Sequence, residues 1–221
     1  ACAGILTPAG STLQITATPG ATLQAKGGSD GAGIGGGNTQ AAGDITIENG
    51  QITAKGGSSA AGVGGGAGGV GGGAGGAGGN ITLHGGTLAA FGGGQDFGAG
   101  VGGDNGTLTI TGGAIKPSGR LLTIQPTNGT VPVYCTELLL AHLTGQNKVQ
   151  AITFSSGSYG ANDLYANNEQ LYLYLPAGVT VTDAVVDANV YTGAVTAKAD
   201  GSARGYLCYL KEFTVSGGVN G

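Results

Sequence analysis

Two short stretches of the chain carry the glycine spacing of a nucleotide-binding turn. Residues 31–37 read GAGIGGG and residues 98–103 read GAGVGG, and each contains G-x-G-x-x-G. A dinucleotide site needs a strand before this turn and a helix behind it, because the helix N-terminus binds the pyrophosphate. Both stretches are instead followed by a few turn residues and another strand-like segment. The glycines therefore predict close backbone packing, and we expect no cofactor.

The carboxylates of the first half are candidates for carbohydrate chemistry. Polysaccharide-cleaving sites need two carboxylates at a set separation, or a carboxylate beside a base. Asp30 and Asp96 each precede a lone apolar residue among glycines, and Lys26 and Lys55 occupy repeated positions nearby. Solvated turn carboxylates explain the same pattern. The ligand spacing of a calcium loop is absent, so we predict no catalytic and no metal-binding residue.

The tyrosines of the second half are the strongest candidates for ligand contact, because a tyrosine combines an apolar ring with a polar hydroxyl. The segment LYLYLP alternates so that Tyr172 and Tyr174 share one face, and they form an exposed pair if the leucines face the core. Asp163 and Tyr165 lie in a segment rich in oxygen ligands, of the kind that a calcium loop or a glycan site uses. These four residues are the predicted ligand-binding set. The alternatives are ordinary strand tyrosines and a polar hairpin loop.

The three cysteines do not form a metal-binding pattern. None belongs to a CxxC pair, and the two histidines are far apart in sequence, so no zinc site is indicated. Cys135 and Cys208 both lie in strand-like segments of the second half, where they either form a disulfide or remain as buried thiols. Cys2 has no obvious partner.

Three stretches of the first half repeat one another. Each combines a short alternating strand, a Gly or Asn turn, a second short strand and a glycine-rich stretch. One unit is too small to bury its own apolar face, whereas stacked units can, which is the principle of a solenoid. The predicted equivalent positions are Leu23, Ile52, Leu88 and Ile115 in the strands, and Ile34, Val63 and Val101 among the glycines.

The glycine-rich stretches need a separate explanation. From Gly66 to Gly78 every third residue is glycine, a period that matches an extended helix with three residues per turn. Such segments, or flat β-like layers, can pack closely against neighbouring backbones. A flexible glycine linker is the alternative. The recurring apolar residues at Ile34, Val63 and Val101 favour the packed arrangement.

The pattern changes near residue 118. Beyond it, eight short strands are predicted between residues 121 and 218, with turn residues between them. The sequence therefore predicts an all-β protein with two domains. Residues 1–118 are predicted to form glycine-rich β-solenoid or β-helix-like repeats, and residues 119–221 a small antiparallel β-sandwich-like module.

The composition excludes several functional classes. Glycine accounts for 51 of 221 residues and charged residues for only 9%, which differs from the high charge of disordered chains. With a net charge of −4 and no basic stripe, no nucleic-acid partner is expected. No apolar run is long enough to insert into a membrane. The absence of methionine suggests a processed or excised piece of a longer chain.

The segment DITIENGQITAKGGSSAAGVGGG resembles glycine-rich repeats of large secreted, cell-wall-associated surface proteins of gut Firmicutes. The resemblance covers most of the chain and implies an extracellular location at the cell surface or cell wall. It also implies neighbouring domains in a larger protein, and it supplies no catalytic motif. We therefore expect a non-catalytic structural or adhesive module, a rigid spacer that binds glycan or host-matrix protein. The alternatives are a fragment of a carbohydrate-active β-helix enzyme and a phage-tail-like receptor-binding tip.

Overall fold

The regular structure of the protein consists of β-strands. The computed structural model describes residues 2–67, 76–93, 100–103, 105–116, 125–157, 159 and 163–209. These ranges contain twenty strands and no helix, so no helix there is long and apolar enough to cross a membrane. The predicted all-β class is confirmed.

The first twelve strands form three parallel sheets that the chain visits in turn. The first sheet contains β1 (Ile5–Leu6), β4 (Ile34–Gly35), β7 (Val63–Gly64) and β10 (Val101–Gly102). The second contains β2 (Thr12–Ile15), β5 (Asp44–Ile47), β8 (Asn80–Leu83) and β11 (Thr107–Ile110). The third contains β3 (Thr22–Lys26), β6 (Gln51–Lys55), β9 (Thr87–Phe91) and β12 (Ala114–Lys116). Each set of three consecutive strands therefore adds one strand to every sheet.

The register of these sheets confirms the repeat alignment that the sequence predicts. In the third sheet, Leu23 pairs with Ile52, Ile52 with Leu88, and Leu88 with Ile115. In the first sheet, Ile34 pairs with Val63, and Val63 with Val101. Equivalent side chains therefore stack directly on one another from strand to strand.

These stacked apolar side chains form the first of two cores. Along each longer strand, alternate residues are buried, as expected for a sheet with one face inside and one outside. Ile34, Val63 and Val101 are fully inaccessible to solvent although each is surrounded by glycine. The glycine-rich stretches are thus part of a packed interior, and the flexible-linker alternative is wrong for the described ranges.

Glycine is required where the glycine-rich strands lie side by side in parallel at short distance. Gly35 and Gly64 have φ angles of 134°, which residues with a side chain rarely adopt. A Cβ atom on Gly64 would lie 1.8 Å from the carbonyl oxygen of Gly102. The backbone therefore occupies the volume that any side chain would need. Most of the three-residue glycine pattern, residues 68–75, lies outside the described residues.

The second half forms a closed seven-stranded barrel rather than a sandwich. Its strands are β14 (Val131–Leu140), β15 (Gln146–Phe154), β16 (Leu164–Asn167), β17 (Gln170–Pro176), β18 (Thr180–Val186), β19 (Asn189–Thr196) and β20 (Ala203–Tyr209). The ring closes because β14 pairs with β17 on one side and with β20 on the other. The pairing of β14 with β20 is parallel, whereas the other six pairings of the ring are antiparallel. The predicted antiparallel pairing therefore holds for all but one pair, and the predicted sandwich-like arrangement is wrong.

The two halves are joined through a short strand. β13 (Thr127–Asn128) pairs in parallel with β11 and in antiparallel with β14, so one sheet continues into the other. The predicted boundary at residue 118 lies within residues 117–124, outside the described residues. Two predicted strands of the second half are affected in the same way. Most of the first one and all of the last one lie outside the described residues.

Candidate functional site

A cleft of about 120 Å³ lies between the third parallel sheet and the barrel. One side is formed by β6, β9 and β12, and the other by β15, β16 and β17. This volume resembles that of a cavity that holds one small ring molecule. The lining residues are Gln51, Ile52, Thr53, Thr87, Ala89, Ala114, Lys116, Gln146, Tyr165, Asn167, Gln170, Leu171 and Tyr172.

The sheet side of the cleft is a small platform of outward-facing residues. Thr53, Ala89 and Lys116 are register partners on three adjacent strands. Two residues earlier on the same strands, Gln51, Thr87 and Ala114 form a second row. Adjacent strands are about 4.8 Å apart, and alternate residues along a strand about 7 Å apart. The platform therefore measures roughly 10 Å by 7 Å, about the size of one sugar ring.

The barrel side is fixed to this platform by hydrogen bonds. The backbone N–H of Tyr165 donates to Oγ1 of Thr87 over 3.1 Å. The Gln146 side-chain amide donates to Oε1 of Gln51, which joins a barrel strand to the sheet. These contacts hold the two sides of the cleft at a fixed separation, so the cleft is formed before a ligand arrives.

Tyr172 is positioned at the cleft by an acidic residue behind it. Its hydroxyl donates to Oε1 of Glu137 over 3.3 Å, and the Gln170 amide donates to the same oxygen over 3.2 Å. Arg204 forms a salt bridge with the other Glu137 oxygen at 3.1 Å. Burial raises the pKa of Tyr172, and the charge of Glu137 raises it further, so the hydroxyl stays protonated. Because its hydrogen is donated to Glu137, its oxygen is the atom that can accept a hydrogen bond from a ligand.

Three polar side chains of the cleft lack a partner in the described part of the protein. Thr53, Lys116 and Asn167 line the cleft, and their side chains form no hydrogen bond or ion pair there. They offer a hydroxyl, an ammonium and an amide to a ligand. Together with the two tyrosines, they suit a compact polar molecule with several hydroxyl groups.

Asp163 has a structural position beside the cleft. It is buried, and its two carboxylate oxygens each accept a backbone N–H over 3.0 Å, from Gly20 and from Gly50. Those glycines belong to turns in successive repeats of the parallel sheets. Asp163 therefore attaches the barrel to the repeats, and its predicted ligand-binding role stays a prediction.

The predicted exposed pair of Tyr172 and Tyr174 is wrong. Tyr174 is only 2% exposed and belongs to the core of the parallel sheets, whereas the leucines of the same strand belong to the core of the barrel. The alternation of the strand is as expected, but both faces are covered because β17 lies between the two cores. Tyr165 and Tyr172 line the cleft, and Tyr174 closes the end of the repeat core.

The structure also excludes the predicted disulfide. In the parallel pair of β14 and β20, Thr136 is the register partner of Ala203, so Cys135 and Cys208 are offset by six residues along the strands. At about 3.3 Å per residue they are roughly 20 Å apart, whereas a disulfide requires Cα atoms within about 7 Å. Both cysteines are free thiols, and burial raises the pKa of Cys135.

Of the two carboxylates considered for catalysis, the structure describes only Asp30. The backbone oxygen of Asp30 accepts the Ala67 N–H, and Asp96 lies outside the described residues. Among the described residues, no group of three His, Cys, Asp or Glu side chains could hold a metal ion. The cleft is likewise lined by no carboxylate in the described part of the chain.

Most residues of the cleft were not predicted from the sequence. Alternation along QITAK and TLAAF indicates that Gln51 and Thr53, like Thr87 and Ala89, face outward together. That signal gives a shared face but no partner surface. The contribution of Gln146, Asn167 and Gln170 depends on how the barrel packs against the sheet, which no local pattern encodes.

Comparison with protein-family models, with curated proteins and with solved structures finds no match to this chain. The functional argument therefore depends on the residues of the cleft and on the packing of the repeats.

Proposed function

We propose that this chain is a non-catalytic structural and adhesive module of an extracellular bacterial surface protein, anchored at the cell surface or cell wall. In this proposal the twelve parallel strands form a glycine-rich β-solenoid that serves as a rigid spacer. The barrel closes one end of the solenoid and, with it, forms a cleft that binds a glycan. The register of the repeats and the shared core with Tyr174 support the spacer.

The observation that carries the binding function is the composition of the cleft. Sugars are recognised by amides and hydroxyls that match their hydroxyl groups and by aromatic side chains that cover their apolar faces. Tyr165, Tyr172 and Asn167 supply such groups on the barrel side, and Thr53 supplies one on the sheet. A host-matrix protein that carries glycans would present the same chemistry.

Binding measurements on tyrosine variants test this proposal. The wild-type protein is titrated calorimetrically with the sugars that a glycan array identifies. Tyr172→Ala and Tyr165→Ala are expected to weaken binding about tenfold each, because aromatic contact in a cleft contributes on the order of 1 kcal/mol. Tyr206→Ala is the matched control, since Tyr206 is 61% exposed and lies on β20, away from the cleft. Equal loss in all three variants, or no saturable binding at all, would contradict the proposal.

The second candidate, a carbohydrate-active enzyme, is tested in the same samples. Every sugar that binds is recovered and analysed for cleavage. Release of a shorter product would favour the enzyme, whereas recovery of intact sugar with Tyr172-dependent binding would favour the adhesive module. The described lining of the cleft, which offers no carboxylate, supports the non-catalytic alternative. A phage-tail-like tip is a further alternative, in which the glycine-rich stretches themselves bind a receptor.

A further inference from the structure

Among the described residues, one charged side chain lines the cleft, Lys116. It is half-buried at the end of β12, on the platform beside Ala89. No ion pair or hydrogen bond occupies its ammonium group, and no carboxylate lines the cleft in the described part of the chain. A cation held in this way is available to a ligand.

The groups around Lys116 favour an anionic ligand as its partner. Two acidic residues act on the tyrosines that line the cleft. Glu137 is already engaged by Arg204 and by the Tyr172 hydroxyl, and the Asp163 carboxylate accepts two backbone N–H groups. Thr53 lies two strands away from Lys116 in the same row, and Asn167 lines the opposite side of the cleft. An ammonium group flanked by a free hydroxyl and a free amide matches a sugar ring that carries one carboxylate.

The attraction of an acidic ligand is a local property of Lys116 and does not come from the net charge of the protein. The chain carries only 8 basic residues and a net charge of −4, so its overall field does not attract anions. Attraction of an acidic ligand must therefore come from the short-range contact with Lys116. Because the cleft is partly shielded from water, that contact is less weakened by solvent than one on the open surface.

We propose that the cleft selects an acidic sugar, a uronic acid or another monosaccharide unit with a carboxylate, through Lys116. This inference rests on the proposed glycan-binding function and names the class of glycan. The carboxylate accepts a charge-assisted hydrogen bond from the Lys116 ammonium, while the ring hydroxyls contact Thr53 and Asn167. Tyr165 and Tyr172 cover the ring from the barrel side.

A pair of sugars that differ at one carbon tests this proposal. Methyl glucuronide and methyl glucoside share the ring and its hydroxyls, and only the first has a carboxylate, which is ionised at pH 7. The glucuronide is expected to bind about tenfold more tightly to the intact chain at low salt, with the difference shrinking as salt is added. In Lys116→Gln the two sugars are expected to bind equally.

Lys55→Gln is the matched control, because Lys55 lies at the end of β6, two strands from β12 in the same sheet, is exposed and does not line the cleft. It is expected to keep the preference for the acid. Equal binding of both sugars by the unaltered protein would overturn the acidic specificity while leaving the glycan-binding function in place. A preference that survives in Lys116→Gln would overturn the role of Lys116. Failure of both sugars, and of every glycan on the array, would overturn the proposed function itself.

Discussion

Replacing Gly64 with alanine is expected to destabilise the protein by about 3–5 kcal/mol, a large part of the stability of a typical domain. The φ angle of Gly64 is one that side chains rarely adopt, and the added methyl group would lie 1.8 Å from the Gly102 carbonyl oxygen. That oxygen belongs to backbone, so the clash is relieved only by separating two stacked strands. Urea unfolding followed by circular dichroism measures the loss.

Gly129→Ala separates the cost of backbone strain from the cost of the steric clash. Gly129 also has a positive φ, of 61°, but nothing lies within 4 Å of the position of its Cβ. Its replacement is expected to cost about 1 kcal/mol from backbone strain alone. A Gly64 variant no less stable than the Gly129 variant would show that the glycine-rich strands are not stacked at the distance described.

Truncating Tyr174 is expected to have the second large effect. Tyr174→Ala removes an aromatic ring that is buried where the barrel closes the core of the repeats, and such losses cost about 3–5 kcal/mol. All eight tyrosines lie in the second half of the chain and there is no tryptophan, so tyrosine fluorescence reports mainly on the barrel. Circular dichroism reports on both halves. We expect both signals to shift to lower urea concentration together.

Tyr174→Phe is the control for this prediction. The Tyr174 hydroxyl is buried without a hydrogen-bond partner among the described residues, and the Cys135 thiol is beside it. Removing the hydroxyl affects at most its weak contact with the Cys135 thiol, so the stability is expected to change by less than about 1 kcal/mol. If Tyr174→Ala were also nearly neutral, Tyr174 would not join the two cores.

The repeat half shows how far the sequence predicts a structure when the same pattern recurs. Leu23, Ile52, Leu88 and Ile115 align by their position in the repeated units, and they are consecutive register partners in the third sheet. Each repeat constrains the others, because only one alignment buries all the apolar residues together.

The barrel half shows which features of the structure cannot be predicted from the sequence. Its strands can be located from short apolar runs and turns, but its closure depends on β14 pairing with β17 and with β20, which is distant in sequence. Local alternation correctly gives Tyr174 and the leucines of β17 opposite faces. It cannot show that the tyrosine face meets a second core, so a buried residue was predicted to be exposed. The distance between Cys135 and Cys208 was unpredictable for the same reason.

One side of the cleft could be predicted from the sequence and the other could not. Its platform follows from strand alternation and repeat register, whereas its barrel side follows from the packing of two units. Asp163 is the clearest example, since its carboxylate accepts N–H groups from Gly20 and Gly50, more than a hundred residues earlier. An aspartate in a polar loop gives no sign of such partners, and it was predicted to contact a ligand.

The central claim is that the glycine-rich stretches are stacked strands and not a flexible chain, and hydrogen exchange tests it most directly. The amides of Ile34 and Val63 donate to the oxygens of Gly62 and Gly100 over 2.9 and 3.0 Å. We predict that both amides exchange at least about 1,000-fold more slowly than in an unstructured peptide, and about as slowly as the amide of Ile52 in the neighbouring sheet. Exchange of Ile34 and Val63 at the rate of an unstructured chain, with Ile52 still protected, would contradict the account.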